Sequence, residues 1–347
     1  MTTPTTTTTS APDAGVISID AAPAPEPEPE IGWLKGSTHV HAKPSGDSSE
    51  EPADVIRWYE DHGYDFIVLS DHNRVTPVED LPRRTLVVIP GVELTHNSND
   101  CLEPPPPEQE KKCRIHVNAI GVSARPEGKI PWDEHATRVR LGTYALALDE
   151  AKALGGVAQI NHPQWHWGMT PELLTELAKR GAPLFEVWNV QFATWNAGDA
   201  DHLSTEALWD AVLAQGIDLW GTASDDAHDY RGVGPYPPGG AWVMVHAARD
   251  ARSIVDALAA GRFYASSGVT LSHAEVEGDA LVVAIADSDP GPHTIRFVAG
   301  GHVLREVHDR SARFALADLA AAPGYVRAVV TRDADGAHAW VQPARRR

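Results

Sequence analysis

Cysteine is scarce: Cys101 and Cys113 are the only two among 347 residues. That excludes a zinc site built on thiolates. The pair itself has two readings. It is either a disulfide stapling the proline-rich loop 102–112, which needs an oxidising compartment, or two free thiols in a surface excursion. Long apolar runs are also missing. No stretch of about 18 consecutive apolar residues occurs, so no transmembrane helix is expected. Positive charge is in short supply. Against 48 Asp+Glu stand 29 Lys+Arg, and the net charge of -19 argues against nucleic acid as a partner. The N-terminus has neither a basic region nor an apolar stretch of the signal-peptide kind, so no signal peptide is expected.

Three regions are distinguishable by composition. Residues 1–30 are rich in Thr, Ala, Pro and Glu, bury too little apolar surface to fold, and are expected to be a disordered tail. A tail of this kind resembles the stalk that follows a secretion signal. Together with a Cys101–Cys113 bridge it would suit an extracytoplasmic protein, although the compartment and the oligomeric state stay open. Residues 31–268 alternate short apolar runs with helical patterns. Runs of strand type occur at 33–41, 65–70, 85–89, 114–121, 157–160, 183–189, 217–222 and 241–246. Helical patterns cover 51–62, 131–154 (one long helix or a broken pair), 170–177, 203–215 and 250–260, several closed by glycine. Residues 269–347 carry short β-type runs separated by glycine and Asp-Gly turns, and predict a small β-sandwich.

What distinguishes the chain is where its polar clusters fall. His39 and His41 flank one valine, and residues i and i+2 of a strand share a face, so both imidazoles can hold one cation. Further clusters, Asp71/His72, Glu93, His162, Glu186/Asn189 and Asp226/His228, lie at or just past the carboxyl ends of apolar runs. In a β/α barrel those ends converge on one face; in an open doubly wound sheet they lie in a row. The α/β pattern and the clusters together favour a TIM-barrel-like arrangement. The candidate ligands are His39, His41, Asp47, His72, Glu93, His116, His162, Asp226 and His228. Six imidazoles and three carboxylates suit zinc, manganese or iron(II), and nine donors exceed the needs of one ion, so two or three divalent ions are expected.

Other residues are assigned less specific roles. Of the 17 histidines, His62, His135, His202, His246, His273, His293, His302, His308 and His338 are read as surface or hydrogen-bonded core residues, with His96 and His166 beside site loops. Asp71 and Asp225 would either orient ligands or cap strand ends. Lys43, Arg74 and Arg231 lie next to the motifs and could hold a phosphate oxygen or merely a surface carboxylate. Trp165, Trp167, Trp188 and Trp195 could line an aromatic pocket or pack in the core.

His39-Val40-His41 with Asp47, Ser70-Asp71-His72-Asn73, Gly91-Val92-Glu93 with His116, and Asn161-His162-Pro163 with Asp226-Ala227-His228 together resemble the motif set of the PHP (polymerase and histidinol phosphatase) superfamily. Asp225 to His228, Glu186 to Asn189 and the trailing β-region are similar to its CehA/McbA metallohydrolase branch. The resemblance covers residues 33–266 and implies a distorted (β/α)7 barrel with a trinuclear site. In that pattern His39, His41, Glu93 and Asp226 would hold one ion, Glu93, His116 and His162 a second, and Asp47, His72 and His228 a third. The first motif departs from the common order, reading Ser45-Gly46-Asp47 where Ser-Asp-Gly is usual.

The expected function is that of a metal-binding hydrolase with a PHP domain, acting as a phosphoesterase (phosphatase or phosphodiesterase) on a small-molecule phosphate ester. A metal-bridging hydroxide would attack phosphorus, with Glu93, Asp226 and His228 in catalytic roles. Lys43, Arg74, Arg231, Trp165 and Trp188 are the candidate substrate contacts. One alternative keeps the site and changes the bond to a carbamate, amide or ester. Another is a non-catalytic metal-binding envelope protein.

Overall fold

The computed structural model describes residues 1–7, 30–102, 111–232 and 234–346. Most of the expected disordered tail and most of the proline-rich loop lie outside these. Helices and strands alternate through the first two thirds of the chain: β1 (Ile31–Val40), α1 (Pro52–Asp61), β2 (Phe66–Leu69), β3 (Val87–Ser98), β4 (Cys113–Ile120), α2 (Arg140–Ala153), β5 (Val157–Ile160), α3 (Pro171–Lys179), β6 (Leu184–Asn189), α4 (Ala193–Ala197), α5 (Thr205–Leu213), β7 (Trp220–Ser224), β8 (Trp242–Ala248), α6 (Ala251–Ala259) and β9 (Phe263–Ser266). Seven strands follow: β10 (Leu271–Glu277), β11 (Ala280–Ile285), β12 (His293–Ala299), β13 (His302–Val307), β14 (Ser311–Ala315), β15 (Tyr325–Arg332) and β16 (His338–Arg345).

Local signals account for the element ends. Thr170 caps α3 by accepting from the Leu173 N–H at 3.2 Å, with Pro171 opening the first turn. Ser204 and Asp250 cap α5 and α6 in the same way. The pattern over 131–154 is a broken pair: a short 3-10 turn at Trp132–His135 precedes α2. One strand runs further than expected. β3 continues through Pro90 and Gly91 to Ser98 because it changes partner there, from parallel pairing with β2 to antiparallel pairing with β4. A Cβ at Gly91 would lie 2.6 Å from the Val68 side chain, so the exchange requires glycine.

Thirteen strands form one sheet in the order β13-β12-β15-β16-β9-β8-β1-β2-β3-β4-β5-β6-β7. The expected barrel is not present as a closed hydrogen-bonded ring. β1 is flanked by β2 and by antiparallel β8, and β7 ends the sheet. Two contacts span the interval. Val40 bridges Ala227, with the His41 N–H donating to the Ala227 carbonyl at 3.2 Å. Gln342 of β16 exchanges two side-chain hydrogen bonds with the Gly221 backbone, at 2.8 and 2.9 Å. The first holds the polar ends of β1 and β7 side by side, and the second ties β16 to the start of β7.

The C-terminal strands differ from an independent sandwich. A three-stranded sheet, β10-β11-β14, does face β12, β15 and β16 across a core that includes Leu271, Val283, Ile295, Phe297, Phe314 and Val330. One layer of it, however, is the continuation of the large sheet, since β16 pairs with β9 through Ala339↔Ser266 to Val341↔Tyr264. The expected division at residues 268 and 269 falls between β9 and β10.

Candidate metal centre

Each strand end delivers its donors to one place. β1 supplies His39, and His41 follows directly after it, with the two rings 5.0 Å apart; the turn after β2 supplies His72, β3 supplies Glu93, and β4 supplies His116. His162 follows β5, and Asp226 and His228 follow β7. Their donor atoms fall into three groups, each within 4.8 Å: His39/His41/Asp226, Glu93/His116/His162 and His41/Asp47/His72/His228. All nine sequence candidates are therefore brought together. Glu93 is central, with its carboxylate oxygens 2.6 Å from His72 Nδ1, 2.9 Å from His116 Nδ1 and 3.3 Å from His39 Nε2. His41 belongs to two groups at once, which its motif had not indicated.

The donor set fits small divalent cations. His39 Nε2, His41 Nε2, His162 Nδ1 and Asp226 Oδ1 are buried without a hydrogen-bond partner among the described residues. Four such orphans in one cluster would be costly unless a cation satisfied them. Asp226 Oδ1 sits 3.2 Å from His39 Nε2 and 3.1 Å from His41 Nε2. Separations near 3.3 Å are those of neighbouring ligands around an ion with bonds of about 2.0 Å. Two of the donors, His162 (φ 26°) and Asp226 (φ 50°), also adopt left-handed backbone that non-glycine residues avoid.

Electrostatics divide the histidines. Burial, with His228 and His72 nearby, pushes His41 down to about 3, and burial pushes His116 down to about 4. Burial thus favours the neutral form of both rings, the form that binds metal. His39 and His72 are also penalised by burial, but carboxylates outweigh it: Asp226, Glu93 and Glu186 raise His39, and Glu93 and Asp47 raise His72 to about 10. Against its own burial, His116, His72 and His39 hold the Glu93 carboxyl well below the usual range.

A surrounding shell fixes these rings. Glu186 accepts from His39 Nδ1 at 2.8 Å, Ser224 Oγ at 2.5 Å, the His162 N–H at 2.6 Å and Asn189 Nδ2 at 2.9 Å. It is the orienting carboxylate of His39, a role its place at the end of β6 only hinted at. Ser45 Oγ bonds His41 Nδ1 at 2.9 Å, and Thr95 Oγ1 bonds His72 Nδ1 at 2.7 Å. Neither was singled out from sequence, because a lone hydroxyl carries no periodic or motif signal. Asp71 and Asp225 act as strand-end caps. Asp71 takes the Ala42 N–H and Thr76 Oγ1, while Asp225 takes Ser37 Oγ and the Gly239 N–H. Burial raises them to about 6 and about 7.

The donors open into a pocket of about 370 Å³, lined besides them by Asn97, Trp165, Gln191, Phe192, Trp195 and Tyr236. Asp47 lies at its mouth with a side chain 49% exposed, 2.9 Å from His72 Nε2 and 3.3 Å from His228 Nε2. Four of the five expected substrate contacts are elsewhere. Lys43 pairs with Glu51 on the surface, and the exposed Arg231 reaches the buried Glu50, in each case a carboxylate nearer than the cluster. Arg74 is exposed outside the pocket, and Trp188 stacks on Trp340 at 5.7 Å under the C-terminal sheet. Trp165 does line it, with its ring edge-on to His116 and His162. Trp167 stacks on His202 at 4.2 Å. The cysteine pair is a disulfide, joining the start of β4 to the segment after β3. Among the described residues no helix is long and apolar enough to cross a membrane.

No protein-family model matches the sequence, and no curated protein matches it. Solved structures do. One is a two-domain protein of Bacteroides vulgatus containing a predicted PHP-like metal-dependent phosphoesterase, at 21% identity and TM-score 0.44, covering 83% of this chain and 85% of that one. Another is a proposed metal-dependent phosphoesterase of Bifidobacterium adolescentis, at 16% identity and TM-score 0.42, covering 66% and 97%. A third is an amidohydrolase of Chromobacterium violaceum with bound sulfate and no metal, at 14% identity and TM-score 0.37, covering 58% and 93%. Likenesses at this level assign neither a family nor a reaction to this chain.

Proposed function

We propose that the chain is a metal-dependent hydrolase of PHP type, close to the CehA/McbA branch, acting on a small-molecule ester. The observation that carries this is the convergence of nine donors from six strands and the turns that follow them, four of their atoms buried without partners. Divalent ions held there would supply Lewis acidity toward a phosphoryl or carbonyl oxygen and make water acidic enough to attack near neutral pH. The chain's own residues do the rest. Glu93 joins the donor groups, Glu186 fixes the ring that reaches both Glu93 and Asp226, and the pocket admits a substrate beside them. A purely structural metal site would be closed, whereas this one faces solvent through Asp47.

A phosphate ester is the first reading. Asp47, Glu93, Glu186 and Asp226 contribute four negative charges, so three divalent ions leave a net positive pocket and two leave a neutral one. An anionic substrate therefore belongs with the three-ion form. A second reading, a carbamate or carboxylic ester, is favoured by the lining. No lysine or arginine is among the described lining residues, and Trp165, Phe192 and Trp195 form an apolar wall. The Cys101–Cys113 bridge supports an extracytoplasmic setting.

The test is to count bound metal by elemental analysis and to assay aryl phosphate monoester, diester and carbamate side by side. Three ions with phosphate turnover support the first reading; two ions with carbamate turnover alone support the second. Bound metal with no turnover of any substrate sinks the hydrolase proposal. Glu93→Gln should lose bound metal and at least about 100-fold in turnover, since it removes charge shared by every group. Near-normal turnover would remove Glu93 from the centre.

A further inference from the structure

Six described residues line the pocket without belonging to the donor set, and five have other engagements or chemistry. Asn97 Oδ1 lies 3.2 Å from His116 Nε2, and the Gln191 amide donates to the Asp226 carbonyl. Phe192 offers no polar atom. Trp165 and Trp195 belong to the aromatic wall around it, at 5.0 and 5.9 Å from the Phe192 ring. Tyr236 is different. It lines the pocket with its ring 5.9 Å from His228 and is 42% exposed. No described residue hydrogen-bonds its hydroxyl.

The backbone holds Tyr236 there. Its carbonyl accepts from the N–H groups of His228 and Asp229, both at 3.1 Å, and its own N–H donates to Asp229 Oδ2 at 3.2 Å. Three residues on, the Gly239 N–H returns to Asp225. The segment is thus tied at two points to the turn that carries Asp226 and His228. Pro235, Pro237 and Pro238 surround Tyr236 and narrow its backbone freedom further.

We propose that Tyr236 is a catalytic residue whose phenol donates a hydrogen bond to the leaving-group oxygen of the substrate, a role that rests on the hydrolase reading above. In the step, the oxygen of water bonds to phosphorus or carbonyl carbon. The bond to the leaving oxygen breaks, and its electron pair stays on that oxygen. Water releases one proton to solvent, and solvent supplies the proton that completes the departing phenol or alcohol. Tyr236 keeps its own proton throughout. Its donation stabilises the leaving oxygen while that atom is negative, so the benefit grows with the basicity of the leaving group.

The experiment compares wild type, Tyr236→Phe and Trp165→Phe on 4-nitrophenyl, 4-chlorophenyl and phenyl esters of whichever acid the wild type cleaves. Metal per chain is measured for all three proteins. For Tyr236→Phe, kcat/KM should fall more with each step toward the more basic leaving group, reaching about tenfold or more on the phenyl ester. Its metal content should match wild type. Trp165→Phe should lower all three substrates by a common factor. A uniform loss or no loss in Tyr236→Phe overturns the role of the phenol while leaving the hydrolase reading intact. So does a basicity-dependent loss in Trp165→Phe instead, or metal loss in Tyr236→Phe. A wild type that cleaves none of the esters overturns both proposals.

Discussion

At the scale of single residues, the centre depends on groups that never touch a substrate. Glu186 is the clearest case, because all its hydrogen bonds point inward, to His39, Ser224, His162 and Asn189. Glu186→Gln turns one acceptor into a donor and disturbs the ring that meets both Glu93 and Asp226. Metal affinity should fall by about 10–100-fold in chelator competition, with folding retained; unchanged affinity would reduce Glu186 to a packing group. Most of the donors stood out in the sequence because they end apolar runs and are of residue types that bind metal, while Asp47 lies past a Pro-Ser-Gly break and His116 near the start of its strand. Ser45 and Thr95 were not, since hydroxyls are common and only the fold brings them to His41 and His72. The expected cations failed for a related reason. Nearness to a motif along the chain put Lys43 and Arg231 on the list, but Glu51 and Glu50 are nearer in space.

At the scale of elements, the helix caps and strand cores followed from local chemistry, whereas β3 did not. Pro90 and Gly91 read as a stop, and only the change of partner from β2 to β4 shows why the strand passes through them. A second device fixes its entry. Glu60, at the end of α1, accepts the backbone N–H groups of Arg84, Thr85 and Leu86 and the Arg84 guanidinium. Although burial opposes ionisation, those donors depress its carboxyl from the usual 4.5 to about 2. A depressed carboxyl stabilises the fold above its unfolded pKa, and the contribution fades as pH falls from about 4.5 toward 2. Glu60→Gln should therefore lower the melting temperature at pH 7 and have little further effect near pH 2. Equal loss at both pH values would show that the ionised carboxylate is not what matters.

At the scale of the whole molecule, the C-terminal strands are part of the scaffold that shapes the donor cluster's surroundings. Arg327 of β15 is buried, grips Asp210 of α5 through two bonds of 2.8 Å and lies 2.8 Å from Glu206. Tyr325 adds a bond of 2.7 Å to the same Asp210. Removing one partner of a buried pair strands the other, so Asp210→Ala should cost about 3 kcal/mol or more in denaturant melts. A loss under about 1 kcal/mol would show that the two regions are joined chiefly by the β9–β16 pairing. Composition did announce a change of character after residue 268, but not that the sheet runs on through it. Backbone pairing between distant strands, and a side chain such as Gln342 completing the hydrogen bonds of Gly221, leave no trace in local pattern.

The left-handed backbone at His162 and Asp226 carries a consequence for anyone seeking a hardier version of this chain. Glycine at either position would relax a conformation that the present residues adopt unwillingly, and a screen for heat tolerance would favour it. The sturdier protein would lack two of the cage's walls. On the proposed function, durability and chemistry compete for the same two positions.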